Sequence, residues 1–402
     1  MAANLRPRSA AEVADAITWA IDAEEPLEVI GGATKRTIAM PSQTAYTLDM
    51  ADLAGIVSYE AEELVLTLAP GTPMAEVEAA LSARGQMLAF EPPDYTALLA
   101  STGTPTFGGA FATNFAGPRR VAAGAVRDHM LGIAAVSGRG EPFKAGGRVV
   151  KNVTGYDLSR ALAGSWGTLA VATELTCKVL PRPECETTLV LEGLSPQEAA
   201  SAMARAMGSP GDFSGAAYLP ADIAATLPVL DAADGTSRTL LRLDGFGPSV
   251  AARAADAEAL FAGTAMHRLT DEPSATLWRA VRDGAPFVGT AGVVWRCSVP
   301  PMSGPAMLAA APEGARAYLD WAGGLVMMET PATGDAGAAA IRATAESCGG
   351  HALMLRAPVD IRGEVATFHP MASGLESLSR RLRQAFDPKG ILNPNRMSRE
   401  PA

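Results

Sequence analysis

The stretch Gly164-Ser165-Trp166-Gly167-Thr168-Leu169, continuing in a run to Pro181, decides how the chain is read. Leu169 to Leu180 is rich in Val, Thr and Leu, a composition that favours a strand. Gly164 and Gly167 bracket a tight passage just before it. A residue without a Cβ lets backbone lie against something flat. Two glycines alone are ordinary at the start of a strand. The polar groups of Lys151, Asn152, Tyr156 and Asp157 upstream are not, because a plain core has no role for them.

Outward from this stretch, 402 residues are too many for one ordinary core, and two or three domains are expected. A hydrophobic content of 48% suits a well-buried globular chain. A net charge of −10 argues against a nucleic-acid partner, which calls for a basic face. Met1 to Ala20 carries Arg6, Arg8, Glu12 and Asp15, so it does not read as a signal peptide. No run of ~18 apolar residues occurs, so no membrane insertion is expected. Cys177, Cys185, Cys297 and Cys348 form no C-x-x-C pair and read as buried thiols of a cytoplasmic protein. Nothing in their spacing suits an iron–sulfur cluster held by this chain alone.

Ser9 and Glu12 form a capping-box pattern ahead of Val13, Ile17 and Ala20, which predicts a helix from about Ala10 to Asp22. Leu27 to Ile30 reads as a strand running into Gly31-Gly32-Ala33-Thr34-Lys35-Arg36. That sequence suits an anion nest, with successive amides aimed at phosphate and basic side chains nearby; a simple turn is the alternative. The G-x-G-x-x-G and Walker A patterns are absent, so any dinucleotide is held by another architecture. Leu64–Ala69 reads as a strand and Met74–Arg84 as a helix. The segment from Ser101 through Thr102, Gly103, Thr106, Gly108, Gly109, Thr113 and Asn114 to Gly117 is dense in Gly and Thr, and reads as a long binding loop. From residue 185 strand-like runs alternate with Ala-rich helical ones, as in split β-α-β units repeated twice: an antiparallel sheet with helices on one face. A last helix, Leu375–Phe386, is stopped by Asp387-Pro388.

Three stretches together with the tail resemble the FAD-binding family of the vanillyl-alcohol oxidase and p-cresol methylhydroxylase type. Val29 to Lys35 looks like its pyrophosphate loop, and Gly103 to Gly117 like its second flavin loop. Gly155-Tyr156-Asp157-Leu158 with Gly164 to Leu169 looks like its third, and Phe386 to Pro394 like its usual ending. The resemblance implies an α+β fold in three parts: a two-part FAD-binding domain over 1–184, a cap or substrate domain over 185–370, and a helix and tail, 371–402, that returns to the FAD domain. It implies FAD contacts from Gly31, Gly32, Ala33, Thr34, Lys35 and Arg36. It implies others from Thr102, Gly103, Thr106, Gly108, Gly109, Thr113 and Asn114, then from Gly155, Tyr156, Asp157, Gly164, Ser165, Gly167, Thr168, Leu169 and Val171, and from Asn393 in the tail.

Within the family, the segments Ala123 to His129, Val149 to Asp157 and Trp295 to Pro301 are similar to the FAD-binding E subunits of bacterial glycolate oxidases. That likeness implies a complex with a larger homologous flavoprotein and an iron–sulfur subunit. Four departures qualify it. The histidine that many relatives bond covalently to flavin is missing from Ala33-Thr34-Lys35-Arg36, which implies non-covalent FAD. Trp166 stands where the family usually has glutamate. His267, His351 and His369 lack the i, i+4 spacing of a cap metal motif, so no metal is expected. Asn395-Arg396 replaces the commoner Gly-Lys.

Oxidation of a 2-hydroxy acid needs a hydride acceptor, cations for the carboxylate and a base for the hydroxyl proton. Arg296 and Arg356 are the candidate carboxylate clamps, since a planar guanidinium can bind both oxygens. His351 and His369 are the candidate bases. All four also read as ordinary strand-end residues in salt bridges and hydrogen bonds. Two other functions fit the sequence: an FAD-binding scaffold supporting a catalytic partner, and a stand-alone NAD(P)H-dependent flavin reductase.

Overall fold

Ser9 Oγ accepts a hydrogen bond from the Glu12 amide at 3.2 Å and starts the helix Ala10–Ala23. The apolar stripe of that helix, Val13, Ile17 and Ala20, is fully buried. It packs with Leu27, Leu48, Val136 and Val171 into one core. The computed structural model describes residues 3–41, 43–147, 156–232 and 234–397. Lys151, Asn152 and Gly155 lie outside the described residues.

The chain is α+β, with four sheets among the described residues. Ala3–Leu5, Tyr46–Asp49 and Leu27–Ile30 form a small parallel sheet. The tail joins its open side: Leu392 bridges Leu27 in parallel, and the Asn393 amide donates to the Leu27 carbonyl at 2.9 Å. A five-stranded antiparallel sheet runs Ile56–Glu60, Val65–Leu68, Ala170–Lys178, Met130–Ser137, Pro142–Gly146. The strand expected after Gly167 is therefore its central member. A two-stranded ladder pairs Gln86–Met87 with Leu180–Pro181.

Strands between Cys185 and Arg356 build an eight-stranded antiparallel sheet of their own. Its residues alternate between two faces, as the two-residue period of a strand requires. Leu189, Leu191, Trp295 and Val326 meet the helices Pro196–Met207, Gly247–Leu260 and Ala338–Ser347 on one face. Val190, Leu240, Val294 and Leu353 face the other way, toward Tyr95, Leu98, Phe115 and Trp166. The second face also carries the helix Asp271–Asp283, through Leu277, Trp278 and Val281. The expectation of helices on a single face is corrected here. The strand Met266–Thr270 and this helix were not legible, because Asp271, Glu272 and Pro273 interrupt the apolar pattern between them.

The Gly- and Thr-rich segment expected as a long loop is also corrected, because it contains the helix Phe107–Thr113. Thr106 caps it by accepting from the Gly109 amide at 3.2 Å. Gly108 lets the helix start lie against strand-end backbone, since a Cβ there would come within 2.7 Å of the Pro70 carbonyl oxygen.

The second face of the large sheet is tied to the first half of the chain by charge as well as by apolar packing. Arg242, 1% exposed, holds both Glu91 carboxylate oxygens at 3.0 Å. The Arg119 amide donates to the same carboxylate at 2.9 Å, and its guanidinium pairs with Asp244. Burial alone would raise the Glu91 pKa; the two arginines outweigh it and hold the carboxyl down at about 2.

Candidate active site

A cleft of about 880 Å³ opens between the small parallel sheet, the helix Phe107–Thr113 and the turn before the strand Ala170–Lys178. Gly31, Gly32, Ala33, Thr34, Lys35 and Arg36 line one wall. Thr106, Gly108, Gly109 and Thr113 line a second, and Ser165, Gly167 and Val171 a third. The two glycine-rich segments touch at one end of the cleft. A Cβ on Gly32 would overlap the Thr104 carbonyl oxygen, and one on Gly103 would overlap the Gly32 carbonyl oxygen. The turn is forced as well: Gly164, Trp166 and Gly167 all have positive φ, at 86°, 56° and 69°. Gly103 and Gly164 thus shape the cleft without lining it.

The residues present fit an anionic dinucleotide. Among the described residues, the amides of Gly32, Ala33 and Thr34 donate to no protein acceptor. Lys35 follows them, and no carboxylate among the described residues forms an ion pair with it. Burial lowers its pKa to about 8, with distant Asp94 only partly opposing the shift. Three open amides and a desolvated, unpaired ammonium form a nest for phosphate oxygens. The start of the helix Phe107–Thr113 is not part of that nest: its first amides are taken by Thr72, Pro70 and Thr106.

Several expected contacts lie elsewhere. Arg36 is held away from the anion role by a two-point ion pair with Glu28. Thr102 is exposed and does not line the cleft. Asn114 ends the helix in a left-handed conformation, and its side chain accepts from the Arg127 amide at 2.9 Å. Tyr156 is 91% exposed, and Asp157 caps the short helix Leu158–Leu162. Leu169 belongs to the core behind the cleft, and Thr168 Oγ1 donates to the Ser165 carbonyl at 2.7 Å. Asn393 does line the cleft, but its amide group is spent on backbone. Its Oδ1 accepts from the Val29 amide and its Nδ2 donates to the Trp166 carbonyl, both at 2.8 Å.

Among the lining residues that sequence reasoning missed are Trp166 and Arg396. Arg396 lies 5.6 Å over the Trp166 ring and donates to the Lys35 and Arg36 carbonyls, at 2.9 and 3.2 Å. Burial pulls its pKa to about 10, only partly offset by Glu28. In the sequence Arg396 stands out only as a departure from the commoner Gly-Lys; its burial in the cleft wall comes from folding.

None of the four expected catalytic side chains lines the cleft. Arg356 is a structural tie. It donates to the carbonyls of Leu98, Phe287 and Gly292, to Thr290 Oγ1 and to Glu329, so no donor pair is left for a carboxylate. Arg296 is different. It is 9% exposed, lies 5.0 Å over the Phe115 ring and 4.7 Å over Trp321, and its Nε has no hydrogen-bond partner among the described residues. Desolvation, then the Arg296 and His369 charges, push the His351 imidazole below its ordinary value. His369 Nδ1 accepts from the Ala352 amide at 3.4 Å, and its pKa is lowered by desolvation and by Arg342. Arg296 lies over Phe115, and Phe115 and Phe368 each meet the cleft-lining Trp166 edge-on, at 5.7 and 5.3 Å. Among the described residues no cluster of His, Cys, Asp and Glu is arranged to hold a metal ion.

A family profile described as "FAD binding domain" matches residues 1–146. The glycolate oxidase subunit GlcE of Escherichia coli (strain K12) is 35% identical over 385 residues, 96% of this chain and 96% of that one. The glycolate oxidase subunit GlcD of Bacillus subtilis (strain 168) is 30% identical over 189 residues, 47% of this chain but 39% of its own. A structure of p-cresol methylhydroxylase with substrate bound superposes with a TM-score of 0.72 over 98% of this chain and 88% of that one. At 13% identity this likeness concerns the fold alone. With FAD as its cofactor and a match along 96% of its length, the chain belongs to the FAD-linked oxidoreductase family of the glycolate oxidase E subunit.

Proposed function

We propose that the chain is the FAD-binding subunit of a complex that oxidises glycolate, or a related 2-hydroxy acid such as D-lactate, to the 2-oxo acid. Its companions are a larger homologous flavoprotein and an iron–sulfur subunit, to which the electrons pass. The observation that carries this reading is the near full-length likeness to a glycolate oxidase subunit, combined with a cleft whose free amides and unpaired Lys35 suit a pyrophosphate. FAD supplies the hydride acceptor. The protein's own part would be to hold it: the Gly32–Thr34 amides and Lys35 would take the phosphates, and Gly164 and Gly167 would shape the turn that walls the cleft. Lacking a first-loop histidine, the cleft holds FAD without a covalent bond. The purified protein should be yellow, and the colour should leave with the supernatant on acid precipitation; flavin retained in the precipitate would refute the non-covalent reading.

One observation favours a second reading, in which this subunit supports or relays for a catalytic partner. Among the described residues the cleft is lined only by residues before 173 and after 392, and Arg296, His351 and His369 do not line it. Anaerobic mixing separates the readings. Bleaching of flavin in the isolated chain by glycolate or D-lactate supports catalysis here. Bleaching that requires the partner subunits supports a relay or scaffold, and bleaching by NADPH alone overturns both. No helix among the described residues is long and apolar enough to cross a membrane. We place the subunit in the cytoplasm, at the inner membrane only through the complex.

A further inference from the structure

The helix Ser373–Phe386 is built inside out. None of its residues is buried, although it is strongly amphipathic. Leu375 and Leu378 are each 55% exposed, Leu382 is 42% exposed, and Met371 just ahead of the helix is 36% exposed. The four residues of 373–386 that are partly covered are Ser377, Ser379, Arg383 and Phe386. The helix is fastened at its end, where Phe386 meets Phe143 edge-on at 6.0 Å and Arg139 Nε donates to the Ala385 carbonyl at 2.9 Å. Its leucines face outward from a chain that buries apolar side chains well elsewhere.

We infer that this face is the docking surface for another subunit of the complex, and that its occupant is an amphipathic helix with acidic flanks. The inference rests on the subunit reading above. Met371, Leu375, Leu378 and Leu382 follow one another at intervals of four, three and four, the seam of two helices packed side by side. The helix carries Arg380, Arg381 and Arg383 against a single acid, Glu376, within a chain whose net charge is −10. A second copy would bring the same excess of arginine to the seam, and like charge disfavours it. A bilayer suits the stripe less well. Interfacial helices use a broad apolar face, often with aromatic anchors, whereas this one is a narrow row of leucines. An anionic membrane would also repel the acidic remainder of the chain.

The test uses the full chain co-expressed with the larger flavoprotein and the iron–sulfur subunit. The variant carries Leu375→Asp, Leu378→Asp and Leu382→Asp together. These side chains are exposed, so the expected result is an unchanged melting temperature and FAD content but lost co-elution. Arg381→Glu weakens co-elution without abolishing it. If the wild-type chain elutes alone, the subunit reading itself fails. If wild type and triple variant co-elute equally, the docking surface is elsewhere and the inference is overturned. It is overturned too if the isolated wild-type chain dimerises and the variant does not, or if phosphatidylglycerol vesicles capture the wild type and release the variant.

Discussion

Asn393 Nδ2 donates to the Trp166 carbonyl oxygen at 2.8 Å, across 227 residues of sequence. The same side chain accepts from the Val29 amide, also at 2.8 Å. One tail residue therefore pins the strand that leads into the first glycine-rich wall to the turn that forms the third. Its own φ is 44°, a left-handed conformation that asparagine tolerates better than most residues. Asn393→Ala keeps the backbone pairing of the tail but strips these groups of a partner. The expected cost is about 1–3 kcal/mol of stability, from a buried amide left unsatisfied. FAD should also bind more weakly, because both walls loosen together. Thermal melting with and without added FAD checks this; an unchanged melting temperature in both would refute the clamp.

Gly167 faces the same clamp from the other side. A Cβ there would come within 2.9 Å of Asn393 Nδ2, and φ is 69°. Gly164 is nearly as confined, with Asn114 Cβ at 3.2 Å and φ at 86°. Gly167→Val or Gly164→Val should abolish FAD retention, since a β-branched side chain cannot take this backbone conformation and would push the turn away from Asn393 or Asn114, deforming the cleft wall. The packing of Trp295 and Leu241 on the eight-stranded sheet lies in a separate core and should survive. Flavin absorbance per protein, read beside near-ultraviolet circular dichroism, distinguishes loss of cofactor from global unfolding.

Much of this site is legible in the sequence because glycine and capping chemistry are local. Ser9-x-x-Glu12 announces its helix, and Gly31-Gly32 announces a place where backbone must approach something. Thr106 was legible as part of a binding segment but not as a helix cap, because glycines at 108 and 109 mask the helix that follows. Arg36 and Arg356 show the opposite limit. Their charge is visible in sequence, but their partners Glu28 and Glu329 are fixed only by folding. The same holds for Arg396, which reaches the cleft only because the tail pairs with Leu27. A tail residue's destination depends on long-range pairing, and no local pattern encodes it.

The Glu91 carboxylate gives the protein an acid-sensitive joint. Its folded pKa of about 2, against an ordinary 4.5, means that the carboxylate is favoured in the folded state. Its stabilisation is complete above pH 4.5 and is lost as pH falls toward 2. Glu186, in the same network, is pushed upward by burial and works in the opposite sense. Glu91→Gln removes the two-point counter-ion of Arg242, leaving it, among the described residues, only Glu186 at 3.9 Å, while Arg119 keeps Asp244. A loss of about 3–5 kcal/mol is expected, as for other broken buried pairs. The acid limb of the stability curve should flatten in the variant. Urea unfolding at several pH values between 3 and 7 checks both; an acid limb of unchanged steepness would show that Glu91 is not its source.

Lys35 makes a prediction about pH from the cofactor side. Without ligand its ammonium is held at a cost, because burial lowers the pKa from 10.5 to about 8. Between those values the unfolded chain binds more protons than the folded one, so apoprotein stability rises with pH over that window. A pyrophosphate reverses the preference by supplying the missing counter-charge, and FAD binding should take up a proton above pH 8. Affinity for FAD should therefore be flat below about pH 8 and fall as pH rises beyond it. Lys35→Met removes both effects. It should stabilise the apoprotein near pH 7 yet weaken FAD binding by roughly 10–100-fold, the scale of one lost charge-assisted hydrogen bond. Titration by flavin fluorescence from pH 6 to 10 gives the affinity, and melting of the apoprotein gives the stability. If the variant keeps the wild-type pH dependence of affinity, Lys35 does not meet the phosphates and the nest lies on the amides alone.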